Sequence, residues 1–255
     1  MKAIFLLSDN VKKINGKPAI MSLDNSQRFI DRLRKECPKI KKLVMIASNP
    51  DINNPKTEVN SNILKESLNL DGFNIQEMVI VNDGYFGNLQ EELENADVVY
   101  LMGGHVPTQN EFINKINLKK CLKKFKGVLI GQSAGAMNIT KNVYVQPYNE
   151  QEFNDSNFKK IISGLGVVDI QIYPHMNRAK IDELCGETTY SMCLKDSYKI
   201  PHYGITDGGY ILVKDGKTEV FGETVYFKDG KEIKLCENGE SFVIYEKGKE
   251  NEKNN

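Results

Sequence analysis

Residues 128–139 read Val-Leu-Ile-Gly-Gln-Ser-Ala-Gly-Ala-Met-Asn-Ile, an apolar run that leads into small residues. The first three residues predict the end of a buried strand, and the small residues after Ser133 predict the start of a helix. A strand that turns directly into a helix crowds the positions two before and two after the corner, and here both are glycines, Gly131 and Gly135. The pattern predicts a nucleophile elbow that projects the Ser133 hydroxyl at the carboxyl end of a sheet, where open α/β sheets bind ligands.

The same glycines are also compatible with a plain tight turn, because Gly-x-Ser-x-Gly is short and occurs by chance. The buried strand before the pattern and the helix of small residues after it favour the elbow. The N-terminus of that helix would offer free backbone N–H groups and a partial positive charge, which suit an oxyanion.

Short apolar runs rich in valine and isoleucine recur along the chain as far as Tyr173. Because they are apolar on both faces, they predict strands buried between two layers of helices. Helical patterns fill the gaps, so the alternation predicts a mostly parallel sheet with right-handed crossovers. The predicted strands are Ala3–Leu7, Leu43–Ala47, Met78–Val81, Val98–Met102, Val128–Ile130 and Val167–Tyr173, and the predicted helices are Asn25–Cys37, Glu58–Leu70 and Gln109–Phe125.

After about residue 203 the pattern changes to short β runs joined by Asp-Gly turns. The pairs at residues 215–216 and 229–230 predict two antiparallel C-terminal hairpins. Ser241–Tyr245 is predicted as a last strand, and the charged, asparagine-rich residues 246–255 as a disordered tail. Because no repeat or linker divides the chain, residues 1–245 are expected to form a single α/β domain.

The composition narrows the partners and the compartment. Basic and acidic residues number 34 each, which argues against a general attraction to nucleic acid or to an anionic membrane. The N-terminal apolar run is too short for a signal-peptide core, and no segment approaches the length of a membrane span. Five cysteines without a Cys-x-x-Cys pair indicate free thiols rather than a disulfide framework or a zinc site. We expect a cytoplasmic protein.

Of the three histidines, His175 is the best candidate for a base that activates Ser133. It directly follows a predicted buried strand, so it should lie at the carboxyl end of the sheet beside the elbow. His202 precedes a strand and is expected at the opposite edge. His105 lies in the turn after the preceding strand.

That turn contains Gly103 and Gly104, and in a parallel sheet it would lie beside the elbow. A glycine N–H from it can complete an oxyanion hole with the N–H of Ala134. An ordinary strand-to-helix turn would favour glycine as well, so this feature alone leaves both readings open.

The acid that orients His175 is predicted at Asp207, at the tip of another short β run. An Asx turn would use the same Asp-Gly pair, and Asp182 and Glu183, on a predicted helix after His175, are alternatives. The chain order is then Ser-His-Asp, whereas α/β-hydrolases use Ser-acid-His. An α/β-hydrolase would need His202 as the base and Asp169 or a neighbour as the acid, but Asp169 falls inside a predicted strand.

Taken together, these motifs resemble the peptidase E family, which contains α-aspartyl dipeptidases and, more distantly, cyanophycinases. The matching residues are the elbow 131–136, Gly103-Gly104, Pro174-His175 and Thr206-Asp207-Gly208, in order and spacing over residues 1–245. The resemblance implies a flavodoxin-like three-layer α/β sandwich, related in fold to class I glutamine amidotransferases but with serine in place of cysteine at the elbow.

The resemblance also implies a serine peptidase that acts on very short peptides without a metal or organic cofactor. Ser133 would be the nucleophile, His175 the base, and Gly104 and Ala134 the oxyanion donors. Asp207 lies where family members commonly carry an acidic residue, often glutamate.

Arg178 is the only arginine after residue 34. The resemblance implies a preference for N-terminal aspartate, and Arg178 can pair with such a substrate carboxylate, although a surface arginine at a helix start would look the same. An esterase or amidase acting on non-peptide substrates, and a non-catalytic binding module of the same fold, are the alternatives. The expected partner is a small peptide, and both a monomer and a homodimer are open.

Overall fold

The structure, a computed structural model, describes residues 1–247. It is a mixed α/β fold with a large central sheet, a smaller four-stranded sheet, short two-stranded ribbons and surrounding helices. The strands are β1 Ala3–Leu7, β2 Lys13–Ile14, β3 Lys17–Pro18, β4 Lys42–Ile46, β5 Glu77–Val81, β6 Val98–Leu101, β7 Val128–Gln132, β8 Asn142–Tyr144, β9 Ile161–Ser163, β10 Ile172–Tyr173, β11 Glu183–Leu184, β12 Glu187–Thr188, β13 His202–Ile205, β14 Tyr210–Lys214, β15 Lys217–Phe221, β16 Thr224–Lys228, β17 Lys231–Cys236 and β18 Ser241–Glu246. The helices are α1 Phe29–Glu36, α2 Pro55–Leu70, α3 Leu89–Glu94, α4 Val106–Lys115, α5 Leu118–Cys121, α6 Ala134–Ile139, α7 Glu150–Asn154 and α8 Thr189–Asp196.

The central sheet has eight strands in the order β18-β15-β14-β1-β7-β6-β4-β5. Five neighbouring strands of this sheet are parallel to one another: β1, β7, β6, β4 and β5. On the other side of β1, the strands β14, β15 and β18 extend the sheet with antiparallel pairing. The predicted mostly parallel sheet is therefore confirmed. The flavodoxin-like layering stays a prediction.

The central strands are buried on both faces, as their apolar runs predicted. In β1, Leu6 belongs to one apolar cluster while Phe5 and Leu7 belong to another on the opposite face. Phe112 of α4 lies in the first cluster and Phe29 of α1 in the second. Helices thus cover both faces, which is why these strands show no polar alternation.

The prediction of one strand over Val167–Tyr173 is wrong. Only its last two residues form a strand, β10, and this strand belongs to the smaller sheet, whose order is β10-β13-β16-β17. Asp169 interrupts the run because it points to solvent and pairs with Lys141 at 3.1 Å, and Val168 makes only an isolated bridge with Thr140. His175 therefore follows a strand of the smaller sheet rather than of the central one.

The predicted helix Gln109–Phe125 is two helices, α4 and α5, because Asn117 between them adopts a left-handed conformation with φ 52°, which interrupts the helical hydrogen-bond ladder. Helix α1 begins at Phe29 rather than Asn25, since Arg28 has φ 60°. The side chain of Asn25 still accepts a hydrogen bond from the N–H of Ile30 at 2.8 Å.

Both Asp-Gly hairpins are confirmed, with positive φ at each turn residue, as two-residue hairpin turns require. The first hairpin joins the central sheet and the second joins the smaller one. Strand β18 ends at Glu246, one residue past the predicted domain boundary. Residues 248–255 of the predicted tail lie outside the described residues. Within the described part of the chain, no helix is long and apolar enough to cross a membrane.

Candidate active site

Ser133 lies at a strained corner between β7 and α6, with φ 49° and ψ −113°. Such a conformation is rare for a residue with a side chain and must be held by its surroundings. One restraint is the hydrogen bond from the Ser133 N–H to the carbonyl of Leu7 in β1, at 2.9 Å. A methyl group at Gly131 would come within 2.6 Å of the Ala136 backbone nitrogen, and one at Gly135 would overlap the Leu101 carbonyl oxygen. The elbow therefore forms only with glycine at both positions.

We expect Gly135→Ala to lower the free energy of unfolding by about 3 kcal/mol, because the new methyl group meets the backbone of β6, which cannot move aside. Chemical denaturation followed by circular dichroism measures this loss. Gly239→Ala is the control, because a methyl group at Gly239 would meet no other atom within 4 Å. Only the conformational strain that follows from the positive φ of Gly239 (88°), about 1 kcal/mol, should appear there. Equal losses in the two variants would contradict the packing argument.

A continuous chain of hydrogen bonds joins Ser133, His175 and Asp207. The Ser133 Oγ lies 2.9 Å from His175 Nε2, and His175 Nδ1 lies 2.7 Å from Asp207 Oδ1. His175 follows β10 and Asp207 follows β13, two adjacent parallel strands of the smaller sheet. The three residues thus come from two sheets that meet at this point.

Asp207 is held as a carboxylate. Its partial burial raises the pKa of the carboxyl, but hydrogen bonds from His175, Ser8 and Asn177, together with the charge of His175, outweigh burial and leave the pKa below its ordinary value. An ionised Asp207 accepts a hydrogen bond from His175 Nδ1, which must then carry the proton of the neutral imidazole. The lone pair is therefore on Nε2, which faces the Ser133 hydroxyl. This arrangement can remove a proton from the hydroxyl and return it to a leaving group.

Sequence reasoning missed two residues that surround Asp207. The Ser8 hydroxyl donates to Oδ1 at 2.8 Å, and the Asn177 amide donates to Oδ2 at 3.2 Å. Ser8 directly follows strand β1, so the rule that selected His175, a polar residue directly after a predicted buried strand, could have found it. Asn177 carries no such signal, because it lies in a turn after His175.

The residues predicted as oxyanion donors flank Ser133. Gly104 follows β6, the neighbour of β7 in the sheet, and a methyl group on the adjacent Gly103 would lie 3.3 Å from the Ser133 Cβ. Ala134 begins α6 directly after Ser133. Gly104 lies outside helices and strands, and Ala134 is the first residue of α6. Within residues 1–247, neither of their N–H groups donates to a backbone carbonyl, so both are available as donors.

Two cavities, of about 460 and 500 Å³, have Ser133 in their walls. The first is bounded by Met137, Tyr173 and Met192, and the second by Asp9 and Gln132. Volumes of this size accommodate small organic ligands. Both cavities are lined by Gly104, His105, Ser133, Tyr148, His175 and Arg178.

Arg178 is 56% exposed at the side chain and pairs with Asp182 at 3.1 Å. Its charge is therefore partly compensated, but the pair is open to solvent and can exchange for a ligand carboxylate. Asp182 is thereby engaged with Arg178, and Glu183 lies exposed in β11. In place of the helix predicted to carry these two acids, the structure has turns over residues 176–181 followed by the short antiparallel pair β11 and β12. The acid that contacts His175 is Asp207.

His202, the base of the α/β-hydrolase alternative, lies away from Ser133. It is fully buried, its Nδ1 contacts the Ile200 carbonyl at 2.7 Å, and its ring stacks on Phe227. Asp169, the matching acid, lies at the surface. The geometry therefore gives no support to that alternative.

His202 should make the stability depend on pH. Burial lowers its pKa from 6.5 to about 4, so between those values the unfolded chain binds more protons and the free energy of unfolding falls as the pH falls. The loss begins near pH 6.5 and is complete below about pH 4, where it amounts to about 3 kcal/mol. Urea denaturation between pH 7 and pH 4 measures it. His202→Phe should flatten this dependence, and an unchanged slope would contradict the assignment.

Residues 57–221 match the sequence model of peptidase family S51. Among solved structures, the fold is similar to that of a peptidase from an acI-B1 Actinobacterium, with a TM-score of 0.67, 16% identity, and 95% of this chain and 96% of that chain covered. It is also similar to a putative peptidase E protein from Listeria monocytogenes EGD-e, with a TM-score of 0.51, 16% identity, and 92% and 98% covered. At this identity the two structures show a common fold alone.

Among curated proteins, none matches this sequence. The S51 model nevertheless spans more than half of the chain, and the four motifs that resemble peptidase E, at residues 103–104, 131–136, 174–175 and 206–208, all lie within the matched range. The chain therefore belongs to peptidase family S51, the peptidase E family.

Proposed function

We propose that the protein is a serine peptidase that hydrolyses short peptides, as a dipeptidase, through Ser133, His175 and Asp207. The observation that carries the proposal is the unbroken chain from the Ser133 Oγ through His175 to Asp207, with contacts of 2.9 and 2.7 Å. The strained backbone of Ser133 at the elbow supports a catalytic role further, because backbone strain of this kind clusters at functional sites.

In the proposed mechanism, His175 Nε2 takes the proton of the Ser133 hydroxyl as its Oγ attacks the carbonyl carbon of the scissile bond. The N–H groups of Gly104 and Ala134 stabilise the oxyanion, and Asp207 stabilises the imidazolium. His175 then gives the proton to the leaving amine, and the C–N bond breaks. A water molecule, deprotonated by His175, attacks the acyl-enzyme, releases the acid and restores Ser133.

A preference for N-terminal aspartate would follow from Arg178. This residue lines both cavities beside Ser133, and its guanidinium can exchange Asp182 for the side-chain carboxylate of a substrate. The first cavity is also lined by the apolar side chains of Val106, Met137 and Met192, which are compatible with an apolar second residue such as leucine.

Hydrolysis of a dipeptide panel Xaa-Leu, with Asp, Glu, Asn, Ala, Ser, Lys or Leu as the first residue, tests the proposal. Asp-Leu and Asn-Leu differ by one charge at equal size, so faster turnover of Asp-Leu supports the role of Arg178. Equal turnover of this pair contradicts that role and leaves the peptidase assignment standing.

Labelling with a fluorophosphonate probe, followed by peptide mass mapping, supplies the second readout. Modification at Ser133 supports a serine nucleophile independently of the substrate. Labelling without turnover of any dipeptide would favour an esterase or amidase, to be tested with aryl esters and amides. Absence of both would contradict catalysis and favour a binding module.

A further inference from the structure

Three successive residues at the end of β1 contact three parts of the candidate active site. The Leu7 carbonyl accepts the hydrogen bond of the Ser133 N–H at 2.9 Å. Ser8 contacts the His175–Asp207 pair described above, and Asp9 Oδ1 accepts a hydrogen bond from the Gln132 side chain at 2.6 Å. β1 lies within the central sheet between β14 and β7, so this end of the strand is a rigid reference for the site.

The hydroxyl of Ser8 makes two contacts that differ in kind. It donates to Asp207 Oδ1 at 2.8 Å, the same oxygen that contacts His175 Nδ1, and it accepts the backbone N–H of His175 at 2.8 Å. Ser8 is fully buried. One hydroxyl therefore connects the main chain of the candidate base with the side chain of the candidate acid.

His175 needs such a restraint because its own secondary structure supplies little. The strand before it, β10, has only two residues, and His175 itself has φ 61°, a conformation that costs free energy for a residue with a side chain. The N–H of Met176 is fixed by the Ile205 carbonyl at 3.1 Å, but the N–H of His175 is fixed by Ser8.

We propose that Ser8 is a positioning residue that transfers the rigid geometry of the central sheet to His175 and Asp207 and thereby sets the reactivity of Ser133. This inference rests on the proposed function, since it assigns a role within that reaction. It predicts that loss of the hydroxyl misplaces the imidazole without removing any group that contacts substrate, so the chemical step slows while substrate binding is retained.

Ser197 provides a matched control. It is also fully buried, and its hydroxyl also donates one hydrogen bond, to the Leu194 carbonyl at 2.7 Å, and accepts one, from the Gly230 N–H at 2.9 Å. Both of its partners belong to the main chain away from the two cavities. Ser8→Ala and Ser197→Ala thus remove the same number of buried hydrogen bonds, and they differ in whether these include His175 and Asp207.

The experiment compares the two variants with wild type by the rate of fluorophosphonate labelling at Ser133, by kcat and KM on a dipeptide that wild type hydrolyses, and by thermal denaturation. Ser8→Ala is expected to lower the labelling rate and kcat by about 10- to 100-fold, with KM within about twofold. Ser197→Ala should lower the melting temperature to a similar extent and leave the labelling rate within about twofold of wild type. Equal labelling by Ser8→Ala and wild type, or equal slowing by both variants, overturns the inference.

Proton NMR of the His175 Nδ1–H gives a readout that does not need turnover. A downfield signal is expected in wild type and in Ser197→Ala, and it should shift or broaden in Ser8→Ala. If wild type is neither labelled nor active on any dipeptide, the proposed function fails, and an unchanged NMR signal in Ser8→Ala would separately overturn the role of Ser8. Should Ser8→Ala fail to fold, Ser8→Cys, with its weaker S–H donor, takes its place and should show intermediate labelling; labelling as fast as wild type overturns the inference.

Discussion

Replacing Ser133 with alanine is expected to reduce kcat on every peptide that wild type hydrolyses by about 10⁴- to 10⁶-fold. In the proposed mechanism the hydroxyl oxygen of Ser133 forms the acyl-enzyme, and His175 cannot substitute for it. What activity is left would come from binding and from the N–H groups of Gly104 and Ala134. Steady-state kinetics on the best substrate of the dipeptide panel measures the effect.

Ser197→Ala is the control here as well, because it removes a buried serine hydroxyl distant from the cavities. An unchanged melting temperature in Ser133→Ala would show that the loss is chemical, since within the described residues His175 is the only group that forms a hydrogen bond with the Ser133 hydroxyl. More than a tenth of the wild-type kcat in Ser133→Ala would contradict the nucleophile assignment.

Replacing Asp207 with asparagine is expected to lower kcat by about 10³- to 10⁴-fold. Asparagine is equal in size, so packing is preserved, but its amide can donate to His175 Nδ1. The imidazole would then carry its proton on Nε2, where it can no longer accept the proton of Ser133. The measurement is kcat on the same dipeptide, together with the fluorophosphonate labelling rate.

Asp169→Asn is the matched control for this charge removal. Asp169 is the acid that the α/β-hydrolase order would require, and in the structure it is an exposed residue paired with Lys141. Its replacement should leave kcat within about twofold, because an exposed ion pair of this kind contributes little even to stability. A larger loss in Asp169→Asn than in Asp207→Asn would reverse the assignment of the acid.

Local sequence features predicted much of the molecule. The parallel strands were identified because their burial on both faces leaves uninterrupted apolar runs, and the hairpins because Asp-Gly turns have a defined backbone geometry. The elbow was identified from Gly131 and Gly135, because a strand that turns directly into a helix leaves no room for side chains at these positions. The structure shows which atoms exclude them, namely the backbone of Ala136 and, on the neighbouring strand, that of Leu101. Ser133, His175 and Asp207 were each chosen from a position at the end of a β run.

Other features depend on contacts between distant residues and have no local signal. The apolar run Val167–Tyr173 predicts one strand, but only Ile172 and Tyr173 pair with a neighbouring strand, β13 of the smaller sheet. The helix is interrupted at Asn117 by a left-handed backbone conformation. Asparagine tolerates this conformation, but its presence in a sequence does not predict it. In the first case, tertiary packing overrides an apolar pattern.

The sequence alone identified three separate candidates, Ser133, His175 and Asp207, each at the end of a predicted strand. It could do so because each candidate was recognised from the few residues around it. Their assembly is a property of the tertiary structure. Ser133 comes from the central sheet, while His175 and Asp207 come from the smaller one. The distances of 2.9 and 2.7 Å exist because the two sheets meet at the end of β1. Ser8 acquires its two partners only there, since 167 and 199 positions of sequence separate it from them.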